Sequence, residues 1–346
     1  MILGIPKETK TAERRVALIP QDCARLVAAG AKVLMEEGAG RSAGFKDALY
    51  LQSGVSLVPG PEPLFAQAEL IVKVKEPQAQ ELERLEKRHL LFCYLHLGGN
   101  PNLTQALLDK GLTAYGFETV GQAGQTPLLA PMSAIAGRLA VQLGARFLMA
   151  AQGGRGTLLG GTLDHPGGEV LVLGAGIAGT EAAALAWGMG ARVQVLDLRP
   201  EALDRLVARL PGVAVEVAGP GLLERFLPQT DLLVGAVYLK GRKAPRVVST
   251  QQMGLMPKGA VAVDISIDQG GCFETSRPCT HESPTYLEQG VIHSAITNLP
   301  AAVPHTASVA LSKAITPFVL QLLQGKRDLE LQAGLNLEAG QLRIEL

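Results

Sequence analysis

The sequence predicts an α/β fold of two doubly wound domains, and two observations carry that prediction. Short apolar runs alternate with helix-like segments along most of the chain, the order that gives a mainly parallel sheet. Near the middle, residues 170–197 lay out strand, glycine turn, helix and strand in register.

That stretch reads, with its flanks, EVLVLGAGIAGTEAAALAWGMGARVQVLDLRP. Val170, Leu171, Val172 and Leu173 form a wholly apolar run, as expected of a strand buried on both faces. Gly174, Gly176 and Gly179 follow in the order G-x-G-x-x-G, enclosing Ala175, Ile177 and Ala178. The first glycine permits a tight turn, the second lets backbone approach a pyrophosphate, and the third lets helix and strand pack closely. Residues 180–190 suit a helix, whose N-terminal N–H groups and positive dipole end attract phosphate. The strand over 192–196 closes on Asp197, placed to accept hydrogen bonds from an adenosine ribose. With every part in register, the unit reads as a Rossmann-like dinucleotide site rather than a chance glycine turn. Asp197 favours NAD, because it would repel a 2′-phosphate; Arg199 could pair with such a phosphate and pulls the other way.

At 346 residues there is room for two domains and a substantial core. Hydrophobic residues make up 47% and charged residues 18%, which fits a large buried area. Lys+Arg and Asp+Glu both number 32, so net charge points to neither nucleic acid nor an anionic membrane. Cys23, Cys93, Cys272 and Cys279 have no disulfide or CxxC spacing, which suits a reducing cytoplasm. Cys272, Cys279 and His281 match no common zinc pattern, so no metal is expected. The N-terminus lacks a signal-peptide layout, and no uncharged apolar run is long enough for a membrane span.

In chain order, strands are expected at 2–5, 32–36, 70–75, 90–97 and 112–120, with helices at 22–30, 47–54 and 103–110. A polar loop after the first strand carries Arg15. A slim helix over 133–151, with Ser133 as its N-cap, leads to the glycine-rich loop 152–161, read as structural. After Asp197 come a helix over 200–210 and strands at 231–235, 260–265 and 291–296. Ligands of doubly wound sheets bind at the carboxyl ends of strands, and Tyr238, Asp268 and Asn298 follow those three strands. A helix over 303–323 can return the chain to the first domain. The expected organisation is a discontinuous substrate domain, 1–128 and 304–346, with an NAD-binding domain, 129–303, inserted. No element is assigned to 328–346.

Lys75 and His96 each end a predicted strand of the first domain. A cation pair with Arg15 could clamp a small carboxylate, the arginine fork giving bidentate geometry. His96 suits acid/base work near neutrality, and Asp268 could supply a second acid/base group. Strand alternation puts Lys73 on the face of Lys75, so the residues alone do not choose between them.

Together these segments resemble the L-alanine dehydrogenase family. The matching stretches are GIPKETK, RVAL, VKVKEP, YLHL, ETV, PLLAPMSAIAGRLA, GGRG, GAGIAGTEAA, GAV, DISIDQGGCFETSRP and NLPAAVP, in the family's order. The resemblance implies reversible oxidative deamination of L-alanine to pyruvate and ammonium with NAD. It implies Arg15 and Lys75 as substrate-binding groups, His96 and Asp268 as acid/base groups, and Asn298 beside the substrate and nicotinamide. On the cofactor side it implies Ser133, Ile177, Ala178, Asp197, Val237, Tyr238, Ile265, Ser266, Ile267, Asp268, Arg277, Ile296, Thr297, Asn298 and Leu299. It implies a homo-oligomer, a hexamer; cysteine usage and charge add the expectation of a cytoplasmic protein with no nucleic-acid or membrane partner. Two other readings share the fold: the NAD-binding subunit of a transhydrogenase, and a non-catalytic NAD-binding protein. The chain departs from the family's pattern at Gly98-Gly99-Asn100, at Thr297 and Leu299, at Tyr238 and Lys240, and in a C-terminal segment that ends early.

Overall fold

The computed structural model describes residues 1–122, 124–239 and 243–345, so Lys240 lies outside the described residues. The chain alternates strand and helix through β1 (Ile2–Ile5), α1 (Pro20–Ala28), β2 (Lys32–Glu36), α2 (Asp47–Gln52), β3 (Ser56–Val58), α3 (Pro61–Gln67), β4 (Leu70–Val72), α4 (Ala79–Arg84), β5 (Leu90–Cys93), α5 (Pro101–Lys110) and β6 (Thr113–Gly116). It continues with α6 (Ala130–Phe147), β7 (Glu169–Leu173), α7 (Ile177–Met189), β8 (Arg192–Asp197), α8 (Pro200–Arg209), β9 (Ala214–Val217), α9 (Leu222–Phe226), β10 (Leu232–Gly235), α10 (Thr250–Met253), β11 (Val261–Asp264), β12 (Tyr286–Glu288) and β13 (Val291–Ser294). Last come α11 (Pro304–Leu323), α12 (Leu329–Ala333), β14 (Leu335–Glu338) and β15 (Gln341–Leu342). Two compact units result, one of Met1–Met132 with Pro300–Leu346 and one of Ser133–Leu299.

The first unit is built on an eight-stranded sheet in the order β15-β14-β6-β5-β4-β1-β2-β3. Strands β1 to β6 are parallel, while β14 joins β6 and β15 joins β14 antiparallel. The tail therefore forms the edge of this sheet, where the sequence pattern assigned no element. Strand order reverses between β1 and β4, which makes that pair a topological switch point. Helix α11 packs along α1, Ser312 Oγ donating to Asp22 Oδ2 at 2.6 Å, and it also holds the chain leading into α1: Ser308 Oγ accepts the Val16 N–H at 2.9 Å and Ser312 Oγ the Ile19 N–H at 3.0 Å. By length and hydropathy α11 could cross a membrane; half of its most apolar window is buried inside the fold.

The second unit carries seven strands in the order β12-β13-β11-β10-β7-β8-β9, all parallel except β12. Its switch point lies between β7 and β10. The core on one side is rich in Ala and Val, including Ala182, Ala183, Ala186, Val195 and Val234. Small side chains let α7 lie close to the sheet.

Several elements differ from the pattern in bounds, each for a local reason. β4, β5 and β6 stop at Val72, Cys93 and Gly116, several residues before their apolar runs end. Beyond those points carboxylates accept backbone N–H groups: Glu8 takes those of Val74 and Lys75, and Glu118 those of Leu95 and His96. Helix α6 begins at Ala130, so Ser133 is not its N-cap but sits in the first turn. The chain is already turning there, with the N–H groups of Leu129 and Ala130 both bonded to Thr126 O. Helix α7 begins at Ile177, three residues early, because Gly176 serves as its N-cap. The short strands β3, β9 and β12 lack an apolar run, since all three are sheet edges.

Lys73 and Lys75 do not share a strand face, because β4 ends before either. Lys73 is 1% exposed and sits in an ion cluster, its Nζ 3.1 Å from Glu8 Oε2, 3.2 Å from Glu81 Oε1 and 3.0 Å from Lys75 O. Burial would lower its pKa, and the two carboxylates more than reverse that. Removing the lysine leaves two buried carboxylates without their cation, a loss of about 3 kcal/mol. Lys73→Met is therefore expected to lower the urea unfolding midpoint well below that of the unchanged chain. An unchanged midpoint would mean the cluster does not hold this part of the sheet together.

Candidate active site

In the first unit the loops after β1, β4, β5 and β6 carry Arg15, Lys75, His96 and Glu118. These four strands are neighbours in the sheet, so the residues share its carboxyl edge. Arg15 is 2% exposed and Lys75 is 8% exposed, whereas His96 is open to solvent. Glu13 binds one edge of the Arg15 fork, with Nε at 2.7 Å and Nη2 at 2.5 Å; Nη1 lies 3.1 Å from Met132 Sδ. Burial would lower the Arg15 pKa, and Glu13 outweighs it and holds the guanidinium charged. Glu8 is pushed up by burial, with Lys73 pulling it partly back. This carboxylate fixes the approach to Lys75, accepting the Val74 N–H at 2.5 Å and the Lys75 N–H at 3.3 Å.

His96 has φ 49° and ψ 42°, a left-handed conformation unusual for a residue with a Cβ. Its ring lies parallel to that of Tyr94, centroids 5.8 Å apart and planes 8° apart. The Tyr94 hydroxyl donates to Leu128 O at 2.6 Å, which anchors that stack.

In the second unit the glycine turn joins β7 to α7. Gly174 has φ 105°, and a Cβ there would lie 2.5 Å from Ala236 O. A Cβ on Gly179 would lie 1.8 Å from Gly174 O, so helix and turn are in direct backbone contact. A Cβ on Gly176 would meet nothing within 4 Å. The missing side chain of Gly176 thus leaves open space at the N-terminus of α7, where the N–H groups of Ile177 and Ala178 have no intrahelical acceptor. That is the cradle a dinucleotide pyrophosphate fits. Ser133 precedes Gly137 by one helical turn on α6, and a Cβ on Gly137 would lie 2.0 Å from Ala178 O. Ser133 therefore stands on the side of α6 that crosses the start of α7.

Asp197, at the end of β8, is buried and heavily engaged. Oδ2 accepts the Ala175 N–H at 2.7 Å and Oδ1 the Arg199 N–H at 2.9 Å, and the Arg199 guanidinium pairs with both oxygens at 3.2 and 3.3 Å. Burial raises its pKa, but these donors prevail and hold the carboxyl below its ordinary range. The carboxylate so ties the glycine turn to β8, and Arg199 is its partner.

The ends of β10, β11 and β13 complete this edge. Ser266 Oγ donates to Val237 O at 2.7 Å, joining two of them. Ile265–Gln269, which includes Ser266, Ile267 and Asp268, is a 3-10 turn capped by Asp264. Asp264, 2% exposed, accepts the N–H groups of Ser266 and Cys272 at 2.8 and 2.7 Å, and the Ser276 hydroxyl. Asp268 is exposed, and its two oxygens lie 3.2 and 3.3 Å from the Asn298 nitrogen, whose N–H they accept. Asn298 is also left-handed, φ 54°. Ile296 and Leu299 are buried beside it while Thr297 is exposed. Tyr238 is 45% exposed. Arg277 lies farther along, its guanidinium 4.1 Å above the Tyr286 ring.

The sequence pattern passed over Glu8, Glu13, Glu118 and Asp264. The stretches GIPKETK and ETV contain two of them, but a carboxylate that serves backbone N–H groups has no spacing signature. No group of three or more His, Cys, Asp or Glu side chains among the described residues could hold a metal ion.

Comparison with known proteins gives concordant results. Residues 4–136 match the alanine dehydrogenase/PNT N-terminal domain, and residues 140–345 the C-terminal domain of the same family. An alanine dehydrogenase of Halomonas elongata is 43% identical over 350 residues, covering 99% of this chain and 94% of that protein. The solved structure of an L-alanine dehydrogenase superposes with a TM-score of 0.95 at 44% identity, over 99% of this chain and 97% of the other. A transhydrogenase from Sinorhizobium meliloti superposes with a TM-score of 0.84 at 25% identity, over 99% of both chains. The chain belongs to the alanine dehydrogenase/PNT family.

Proposed function

We infer that the chain is an NAD-dependent L-alanine dehydrogenase, catalysing reversible oxidative deamination of L-alanine to pyruvate and ammonium. The observation that carries this reading is the polar edge of the first sheet, where Arg15, Lys75 and His96 follow neighbouring parallel strands, in a chain so similar to alanine dehydrogenases. Identity to the transhydrogenase is lower, and that alternative is not favoured. NAD, when bound, accepts the hydride that leaves the substrate Cα.

The residues divide the remaining work. Arg15, held charged by Glu13, binds the substrate carboxylate, with Nη1 on the fork edge away from Nε, which Glu13 takes. Loss of hydride from Cα leaves an iminium, which one water attacks. His96 accepts a proton from that water, and Asp268 serves as the second acid/base group as ammonia leaves. Lys75 polarises the oxygen that becomes the pyruvate carbonyl. Asn298 steadies the substrate beside the nicotinamide. The balance is L-alanine, NAD and water giving pyruvate, ammonium, NADH and a proton. On the cofactor side, the N–H groups of Ile177 and Ala178 would receive the pyrophosphate across Gly174, Gly176 and Gly179. Asp197 would hold the adenosine ribose, with Ser133, Val237, Tyr238, Ile265, Ser266, Ile267, Arg277, Ile296, Thr297 and Leu299 bordering the remainder. The first unit is read as the substrate domain and the second as the NAD-binding domain.

The cysteines are all unpaired and buried, which supports a reducing cytoplasm. A homo-oligomer, specifically a hexamer, is the assembly proposed on family resemblance.

With NAD at alkaline pH, L-alanine is expected to drive NADH formation, followed at 340 nm, and D-alanine none. Equal rates with the two enantiomers would sink the assignment of Arg15 and Lys75 as a fixed clamp. Removing an acid/base group costs about 10² to 10⁴ in turnover. His96→Ala is therefore expected to lower kcat by that order while NADH still binds, measured by fluorescence titration. Turnover like that of the unchanged chain would exclude His96 from proton transfer.

A further inference from the structure

Glu118 stands in the turn that follows β6, where Thr119 and Val120 both return their N–H groups to Gly116 O, at 3.1 and 3.2 Å. Its carboxylate reaches across to the end of β5. Both of its oxygens accept the Leu95 N–H at 3.2 Å, and Oε1 accepts the His96 N–H at 2.6 Å. These bonds are charge-assisted, and so stronger than bonds between neutral groups. They converge on a residue in a left-handed conformation, φ 49° and ψ 42°. Few residues with a Cβ adopt such a conformation, and its cost must be met by the surroundings.

His96 is open to solvent, so water can take its N–H. What water does not do is fix the angle between two successive amides. If the bend relaxed toward extended backbone, the Cα–Cβ bond of His96 would swing and the imidazole would leave its stack on Tyr94. We propose that Glu118 is a positioning residue: by accepting the amides of Leu95 and His96 it holds the bend that aims the His96 imidazole. This inference rests on the reading of His96 as an acid/base group.

Two variants test it. Glu118→Gln keeps shape and one acceptor oxygen but loses the charge and the second acceptor. Glu118→Asp keeps the charge but is one methylene short. Each is assayed in the direction of pyruvate, ammonium and NADH, with the Kd for NADH measured separately by fluorescence. Both are expected to lower kcat tenfold or more, with KM for pyruvate within threefold and Kd for NADH within twofold of the unchanged chain. A kcat within twofold in both variants would overturn the proposal. So would a loss confined to KM, or a loss of NADH binding together with turnover, since Glu118 would then serve binding or the fold at large. His96→Ala run beside them separates the two levels. If it keeps full turnover, the acid/base reading has failed; if only the Glu118 variants keep it, the positioning role alone has failed.

Discussion

A parallel strand that stops leaves backbone N–H groups without a neighbour, and in this protein carboxylates accept them. Glu8 does so past β4, Glu118 past β5, Asp197 at the turn after β7, Asp264 past β11, and Asp268 past β13. Buried or half-buried amides must be paired. A carboxylate offers two acceptor oxygens and can serve successive amides that point the same way. Each such pairing turns a strand end into a loop of defined shape. The carboxyl edges of both sheets, where doubly wound folds bind ligands, are shaped by these acids more than by any regular element.

The same acids are costly, and the first unit contains the cost by placing cations among them. Glu8 and Glu81 face Lys73, and Glu13 faces Arg15, all with little exposure. Burying an ion pair contributes little stability by itself and is strongly destabilising once broken. Such pairs make sense where geometry matters more than stability. Lys73 bonds to the carbonyl of Lys75, and Glu8 to its N–H, so this buried cluster fixes the backbone on either side of a candidate substrate-binding residue.

How much of this was legible depended on whether a residue acts through its type and spacing or through a partner far along the chain. The glycine turn was legible because each glycine answers a local steric demand: Gly174 needs positive φ, Gly179 has no room for a Cβ, and Gly176 leaves space. Apolar runs located the buried strands, and in β2 and β8 their limits as well. They overshot β4, β5 and β6, because an apolar run records burial, and burial continues after the ladder ends. Lys73 and Lys75 could not be separated for the same reason. Ser133 looked like a cap because its residue type suits one, yet the chain had already turned at Thr126. The tail strand β14 pairs with β6 across more than two hundred residues, which no local pattern encodes. Glu118 went unread because its partners are backbone atoms twenty-two and twenty-three residues away.

Backbone strain separates the remaining candidates. The non-glycine residues with positive φ among those described are Ala12, His96, Gln289, Asn298 and Ala339. Gln289 precedes Gly290 between β12 and β13, and Ala339 precedes Gly340 between β14 and β15, as two-residue hairpin turns require. Ala12 lies in a turn of the polar loop after β1, which leaves His96 and Asn298, and hairpin geometry does not account for them. Each of these has its N–H accepted by a carboxylate, Glu118 or Asp268. Glycine would adopt either bend without strain, but it would bring no imidazole and no amide to the strand end. Where the fold needs a left-handed bend and the site needs a side chain at the same residue, some other group must hold the backbone. A carboxylate from a neighbouring strand end does that, which ties one left-handed bend in each unit to a residue read as part of the site.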